Sequence, residues 1–145
     1  MLIMVFSLTL LLPMFVSAIY SDGELDTFFK AQLILLFTGF ALWLPTVKAS
    51  SDLSTNDGFL VTALFWTVLG SLGSVPLITS HTLEIGIVDA IFESISGLTT
   101  TGATVITGLD DLPPSLLFYR QFLQWLGGIG IVVICLLYTS DAADD

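Results

Sequence analysis

Four apolar runs, each close to the length of a bilayer-crossing helix, constrain this chain more than any other feature. They are roughly Leu2 to Tyr20, Phe28 to Val47, Phe59 to Thr79 and Ser115 to Tyr138. At 1.5 Å rise per residue, about 20 apolar residues cross a hydrocarbon core about 30 Å thick. Backbone groups inside lipid must pair within the protein, so each run is expected to be a helix. Composition agrees. Of the 145 residues, 54% are hydrophobic and 11% charged, where a soluble domain carries about 25% charged residues. So little charge cannot cover a water-facing surface.

The formal net charge of −10 has a simple distribution. The acids lie mostly between the runs or at the C-terminus, as in Asp22, Glu24 and Asp26 and in Asp141 to Asp145. Lys30, Lys48 and Arg120 are the only basic residues. No basic stripe suits nucleic acid, and no polybasic cluster suits anionic lipid headgroups. Cys135 is the single cysteine, so no internal disulfide can form. His81 sits in a polar connector and reads as a solvated loop histidine, since a metal site needs several ligands. No nucleophile, base or metal cluster assembles in the sequence. The chain is therefore expected to be no enzyme and to need no cofactor.

The runs carry their own punctuation. Val16-Ser17-Ala18 resembles a signal-peptidase site, but the preceding residues lack the Lys or Arg of a signal peptide. Pro13 is expected to kink the first helix. Asp26 or Thr27 can cap the second, and Asn56 or Asp57 the third, with Gly58 following. Pro45 and Pro76 fall near the C-terminal ends of the second and third runs. Lys48 weakly places its loop in the cytoplasm by the positive-inside rule, which turns the opposite connectors outward.

Residues 85–98 differ from the four runs. They are apolar at helical spacing but interrupted by Asp89, Glu93, Ser94 and Ser96. The segment is too short and too polar to span, as re-entrant helices are. It runs directly into Thr99-Thr100-Thr101-Gly102-Ala103-Thr104. The order is helix, half-helix, extended Thr/Gly loop, helix. Irregular backbone at membrane depth persists only where it is buried in protein or lines a watery cavity. Ion filters use such backbone, with carbonyl oxygens replacing the hydration shell. Gly102 can take positive φ without a Cβ penalty, and the flanking threonines can add oxygens or bond the scaffold. Composition alone also allows a polar Thr/Gly hairpin that binds nothing.

The stretch from Phe92 to Thr104, then Asp110 to Pro113, then Leu117 to Gly130 (Leu-Phe-Tyr-Arg-Gln-Phe-Leu-Gln-Trp-Leu-Gly-Gly-Ile-Gly) strongly resembles the TrkH/KtrB potassium-transporter family. Asp57-Gly58-Phe59 at the start of the third run is similar to that family as well. The resemblance implies a pore built from four non-identical helix–pore loop–helix repeats, each giving one filter strand with a central glycine. TrkH-type members carry two extra helices before the first repeat. The implied fold is all-α integral membrane and potassium-channel-like. Residues 2–47 form the two extra transmembrane helices. Residues 57–138 form the first repeat, with its half-helix at about 86–98 and its filter at 99–104, and 139–145 form a non-native or disordered tail. The implied ion site is Thr100, Thr101, Gly102 and Ala103, with potassium held by the carbonyls of Thr100, Thr101 and Gly102. Thr99, Thr104, Glu93 and Arg120 support it. The resemblance also implies potassium uptake across the bacterial inner membrane, a homodimer of full-length subunits, and a cytoplasmic nucleotide-binding partner of the TrkA/KtrA kind. Alternatives are a sodium-selective or coupled cation transporter of the same architecture, or a structural membrane segment whose loop binds no ion.

Arg120 lies inside the fourth run, and an intramembrane charge calls for a named partner. Glu93 and Asp89 are the candidates, in an ion pair that braces the loop. Gly127-Gly128-Ile129-Gly130 follows a helix rather than a strand, so it is no phosphate loop. It is expected to serve close helix packing or a bend.

Overall fold

The computed structural model describes the backbone at residues 2–46 and 55–141, and the side chains there except at 46, 55–62, 133–134 and 136–141. The elements are α1 (Leu2–Thr9), α2 (Leu11–Tyr20), α3 (Leu25–Trp43), a 3₁₀ turn (Leu44–Thr46), α4 (Thr55–Leu72), α5 (Val75–Thr79), α6 (Ile87–Leu98), a second 3₁₀ turn (Leu109–Asp111) and α7 (Pro114–Asp141). There is no strand among the described residues.

The helix breaks fall where proline chemistry requires. The first apolar run is two helices meeting at Leu10. Pro13 has no N–H to give the Thr9 carbonyl, and its ring crowds that carbonyl, so the chain tightens there with Leu10 N donating to Ser7 O at 3.2 Å. The same logic splits the third run. Pro76 cannot donate to the Leu72 carbonyl, and the helix turns at Gly73–Ser74 before α5 resumes. Pro45 lies in the 3₁₀ turn that ends the second run.

Two expectations about helix ends need correction or restriction. α3 begins one residue earlier than Asp26 and has Glu24 at its N-cap position. Asp26 instead pairs with Lys30 one turn along α3, and the Thr27 hydroxyl is buried without a hydrogen-bond partner. The displacement follows from the tight turn before α3, where Ser21 (φ 51°) and Gly23 (φ 85°) are both left-handed and Asp22 accepts the Glu24 N–H at 3.2 Å. The side chains of Asn56 and Asp57, and the Lys48 loop, lie outside the described residues. α7 continues to Asp141, so the backbone at 139–141 is helical where the sequence suggested a tail.

α1 and α2 pack on α3, α2 also reaches α7, α3 reaches α5, and α6 lies between α4 and α7. Along α3 the buried positions Thr27, Ala31, Leu35 and Gly39 recur every fourth residue, which forms one seam on a helix. At its far end Gly39 lets α1 approach, since a Cβ there would lie 2.9 Å from Met4 Cγ. The opposite surfaces are apolar and open, as at Phe15 (66% exposed), Phe37 (66%) and Val88 (79%). Leu2–Tyr20 and Leu25–Trp43 are long and apolar enough to cross a membrane.

Candidate functional site

α6 supports the candidate site, and its polarity is reversed relative to a soluble helix. It buries Glu93, Ser94 and Ser96 along with Ala90, Gly97 and Leu98, while Ile87, Val88, Phe92 and Ile95 face outward. Its seat is close. A Cβ on Gly97 would lie 3.2 Å from Leu123 Cβ, and one on Gly127 would overlap the Leu98 carbonyl. Of the three glycines in the 127–130 cluster, Gly127 serves close approach. Gly128 has open space around it, and Gly130 meets only ordinary contacts. Tyr119, fully buried on α7, donates its hydroxyl to the Gly73 carbonyl at 2.6 Å, at the break between α4 and α5.

Glu93 is the hub. Its Oε1 accepts Thr104 Oγ1 at 2.5 Å, Val105 N at 2.6 Å and Ile106 N at 3.3 Å. Its Oε2 accepts Arg120 Nε at 3.1 Å and lies 3.0 Å from Nη2. One buried carboxylate thus ties α6, the chain that follows the Thr/Gly loop, and α7. Both partners are almost wholly inaccessible, at 3% for Glu93 and 8% for Arg120. Charge-assisted hydrogen bonding of this kind, with two guanidinium nitrogens on one carboxylate oxygen, fixes geometry strongly. Asp89, the other candidate partner, is exposed in the first turn of α6. It lies one turn short of Arg120's reach and sits where the helix dipole favours an acid.

The loop itself is held from one side. Ser96 O accepts Thr101 N at 2.9 Å and Gly102 N at 3.3 Å, and Gly97 O accepts Thr100 N at 2.9 Å. Ser96 Oγ donates to Ala103 O at 2.7 Å. The Thr99 and Thr101 hydroxyls are 2.9 Å apart. Thr100 and Gly102 both have positive φ, 59° and 73°. For a β-branched residue such as Thr100 that conformation is strained, by about 1–3 kcal/mol. The amides of 100–102 therefore face α6. No hydrogen bond among the described residues ends on the carbonyls of Thr100, Thr101 or Gly102, and the segment from Thr99 to Val105 is exposed. Ala103 differs, because its carbonyl is engaged by Ser96.

The sequence-derived set Thr99 to Thr104, Glu93 and Arg120 is thus brought together in one place. Ser96 and Tyr119 were not singled out as site residues. Ser96 had a signal, standing three residues after Glu93 and so on the same helical face. Tyr119 had none, since its partner is a backbone carbonyl 46 residues away.

A model of the TrkH family, described as cation transport protein, matches residues 24–140. The Trk system potassium uptake protein TrkH of Vibrio parahaemolyticus is 51% identical over 134 residues, which is 92% of this chain and 28% of that protein. The Escherichia coli K12 protein of the same description is 49% identical over the same shares, and its Trk system potassium uptake protein TrkG is 38% identical over 92% of this chain and 27% of its own length. The chain thus spans just over a quarter of these relatives. The crystal structure of the potassium transporter TrkH from Vibrio parahaemolyticus superposes with a TM-score of 0.89 at 50% identity, covering 94% of this chain and 29% of that one.

Proposed function

Because this chain belongs to the TrkH family of cation transport proteins, transporters rather than enzymes, we propose that it forms one quarter of a potassium-conducting pore. In this reading α4–α5, α6, residues 99–104 and α7 are one helix–pore loop–helix repeat, and the helices within 2–43 are the two extra spans before it. Potassium would be held by the carbonyls of Thr100, Thr101 and Gly102, with Ala103 fastened to the scaffold instead of facing the ion. Glu93 and Arg120 would hold the loop, and Thr99 and Thr104 would bond it to α6.

One observation carries the proposal. Three consecutive carbonyls at a turn between helices have no hydrogen-bond donor among the described residues, while the amides beside them are bonded to α6. Unpaired backbone at membrane depth is costly unless it faces water or an ion. Neutral oxygens in series suit a monovalent cation that must shed its water and still leave. A purely structural loop would leave those oxygens to water alone. The assignment to potassium follows the names of the relatives. The rest of the setting follows the family resemblance: multi-pass placement in the bacterial inner membrane, a homodimer, and a cytoplasmic nucleotide-binding partner of the TrkA kind.

The test uses a full-length transporter carrying this segment, in a potassium-uptake-deficient strain on limiting potassium. Gly102→Ser places a Cβ at φ 73°, a conformation that costs a non-glycine residue about 1–2 kcal/mol, and so re-aims the carbonyls. Growth should fail on low potassium or acquire a sodium preference. Parent-like uptake with parent-like selectivity would overturn the filter assignment.

A further inference from the structure

The four-residue turn between α2 and α3 does more than connect two spans. Asp22 Oδ1 accepts Ser17 Oγ at 2.5 Å and Glu24 N at 3.2 Å, and its Oδ2 accepts Ser115 N at 2.9 Å. Ser115 is the second residue of α7 and follows Pro113 and Pro114. Neither proline has an N–H, so Ser115 supplies the first amide of α7, and Asp22 receives it. A carboxylate at a helix N-terminus is favoured by both the free amides and the dipole. Here it comes from another part of the chain.

Two residues on, Glu24 does the same for the other flank. It is 1% exposed, and its Oε1 accepts Ser80 Oγ at 3.0 Å and Thr82 Oγ1 at 2.5 Å. Ser80 Oγ in turn accepts the amides of Thr82 and Leu83, each at 3.2 Å. That connector leads straight into α6. The chain therefore enters the filter-bearing segment at 80–83 and leaves it at 114–115, and one turn grips both points.

We propose that the Asp22–Glu24 turn is a brace through which the two N-terminal helices position the filter. The inference rests on the filter reading above and deepens it. Asp22 sets where α7 begins, and a turn and a half further along α7 Arg120 holds Glu93, which holds the chain just past the loop. Glu24 sets where α6 begins. Neither carboxylate touches the loop carbonyls, so both are positioning residues.

The test uses the full-length transporter with Asp22→Ala, Asp22→Asn, Glu24→Ala and Glu24→Gln, and Gly102→Ser alongside. Rubidium uptake, its inhibition by sodium, and the amount of protein in the membrane are measured together. The alanine variants should raise the KM for rubidium and erode rubidium-over-sodium discrimination by about threefold to tenfold, which is about 0.7–1.4 kcal/mol and in the range of a lost helix cap. The amide variants keep only one acceptor oxygen in place, so they should show a smaller but still measurable shift. Parent KM and discrimination in the alanine variants, with uptake falling only as membrane protein falls, would overturn the brace. If the alanine variants do not reach the membrane, Asp22→Asn decides, because it offers one acceptor oxygen to three donors. A shifted KM supports the brace and a parent KM overturns it. A shift in Gly102→Ser without one in the turn variants defeats the brace alone, and no shift in Gly102→Ser defeats the filter reading beneath it.

Discussion

α3 and α6 are both apolar by composition, yet they bury opposite things. Apart from Thr27, α3 buries only apolar residues and glycine, Phe28, Ala31, Leu35 and Gly39, whereas α6 buries Glu93, Ser94 and Ser96 beside Ala90, Gly97 and Leu98. In water the α3 pattern would be the rule and the α6 pattern an anomaly. In lipid the ranking changes. Hydrocarbon is as apolar as leucine, so an apolar seam gains only packing. A polar face has no solvent outside the protein and must find its partners within it. α3 can therefore be replaced by many sequences of the right size, whereas α6 is tied to particular atoms on the loop and on α7.

The sharpest way to test that difference is to remove the counter-charge of α6. Arg120→Leu keeps the volume and apolar character of α7 but leaves the Glu93 carboxylate buried with only its Thr104, Val105 and Ile106 donors. Breaking a buried pair from one side costs about 3–5 kcal/mol, enough to prevent accumulation of folded transporter. Glu93→Gln combined with Arg120→Leu should recover much of it, since no unpaired charge remains. Full-length protein in detergent, followed by thermal unfolding, gives the measurement. A double variant no more stable than Arg120→Leu alone would break the assignment of Glu93 as the partner that matters.

The matching change on α3 is Leu35→Ala, at a position with no exposure. In a soluble core such a change costs about 2–5 kcal/mol. Between membrane helices the transfer term largely vanishes, and the cavity term leaves about 1–2 kcal/mol. A loss as large as that of Arg120→Leu would show that apolar burial, not polar matching, holds these helices together.

This contrast also explains what could be read in advance. The two N-terminal spans were legible because lipid admits only long apolar helices, and the kink in the first because Pro13 lacks an N–H. Glu93 and Arg120 were legible because charges in apolar runs need explanation. The choice of Glu93 over Asp89 was not, since it depends on how far along α6 the α7 helix crosses. The hold of Ser96 on Ala103 and the reach of Asp22 to Ser115, 93 residues away, join residues that are individually ordinary. Tertiary placement alone reveals them. The left-handed conformation of Thr100 was also hidden, because threonine gives no sign of tolerating it.

Asp22 supplies the smallest and most specific effect, because it lies in the turn between the two candidate spans and is only half-buried, so water can titrate it. Burial pushes its carboxyl up, but hydrogen bonds from the Ser17 hydroxyl and from the Ser115 and Glu24 amides outweigh that and hold it below the ordinary 3.8. The folded protein thus prefers the carboxylate. Its contribution to stability is complete above about pH 3.8 and is lost as pH falls through the lowered native value. Acid unfolding of the parent should therefore include a component below pH 3.8 that Asp22→Asn lacks, since an amide does not titrate. The variant should start slightly less stable at neutral pH and lose less on acidification, with the two curves converging at the acid end. Curves that stay parallel down to acid would mean that the Asp22 hydrogen bonds to Ser17 and Ser115 do not distinguish the folded from the unfolded chain. The polar matching seen on α6 would then not extend to the turn that joins it to the N-terminal helices.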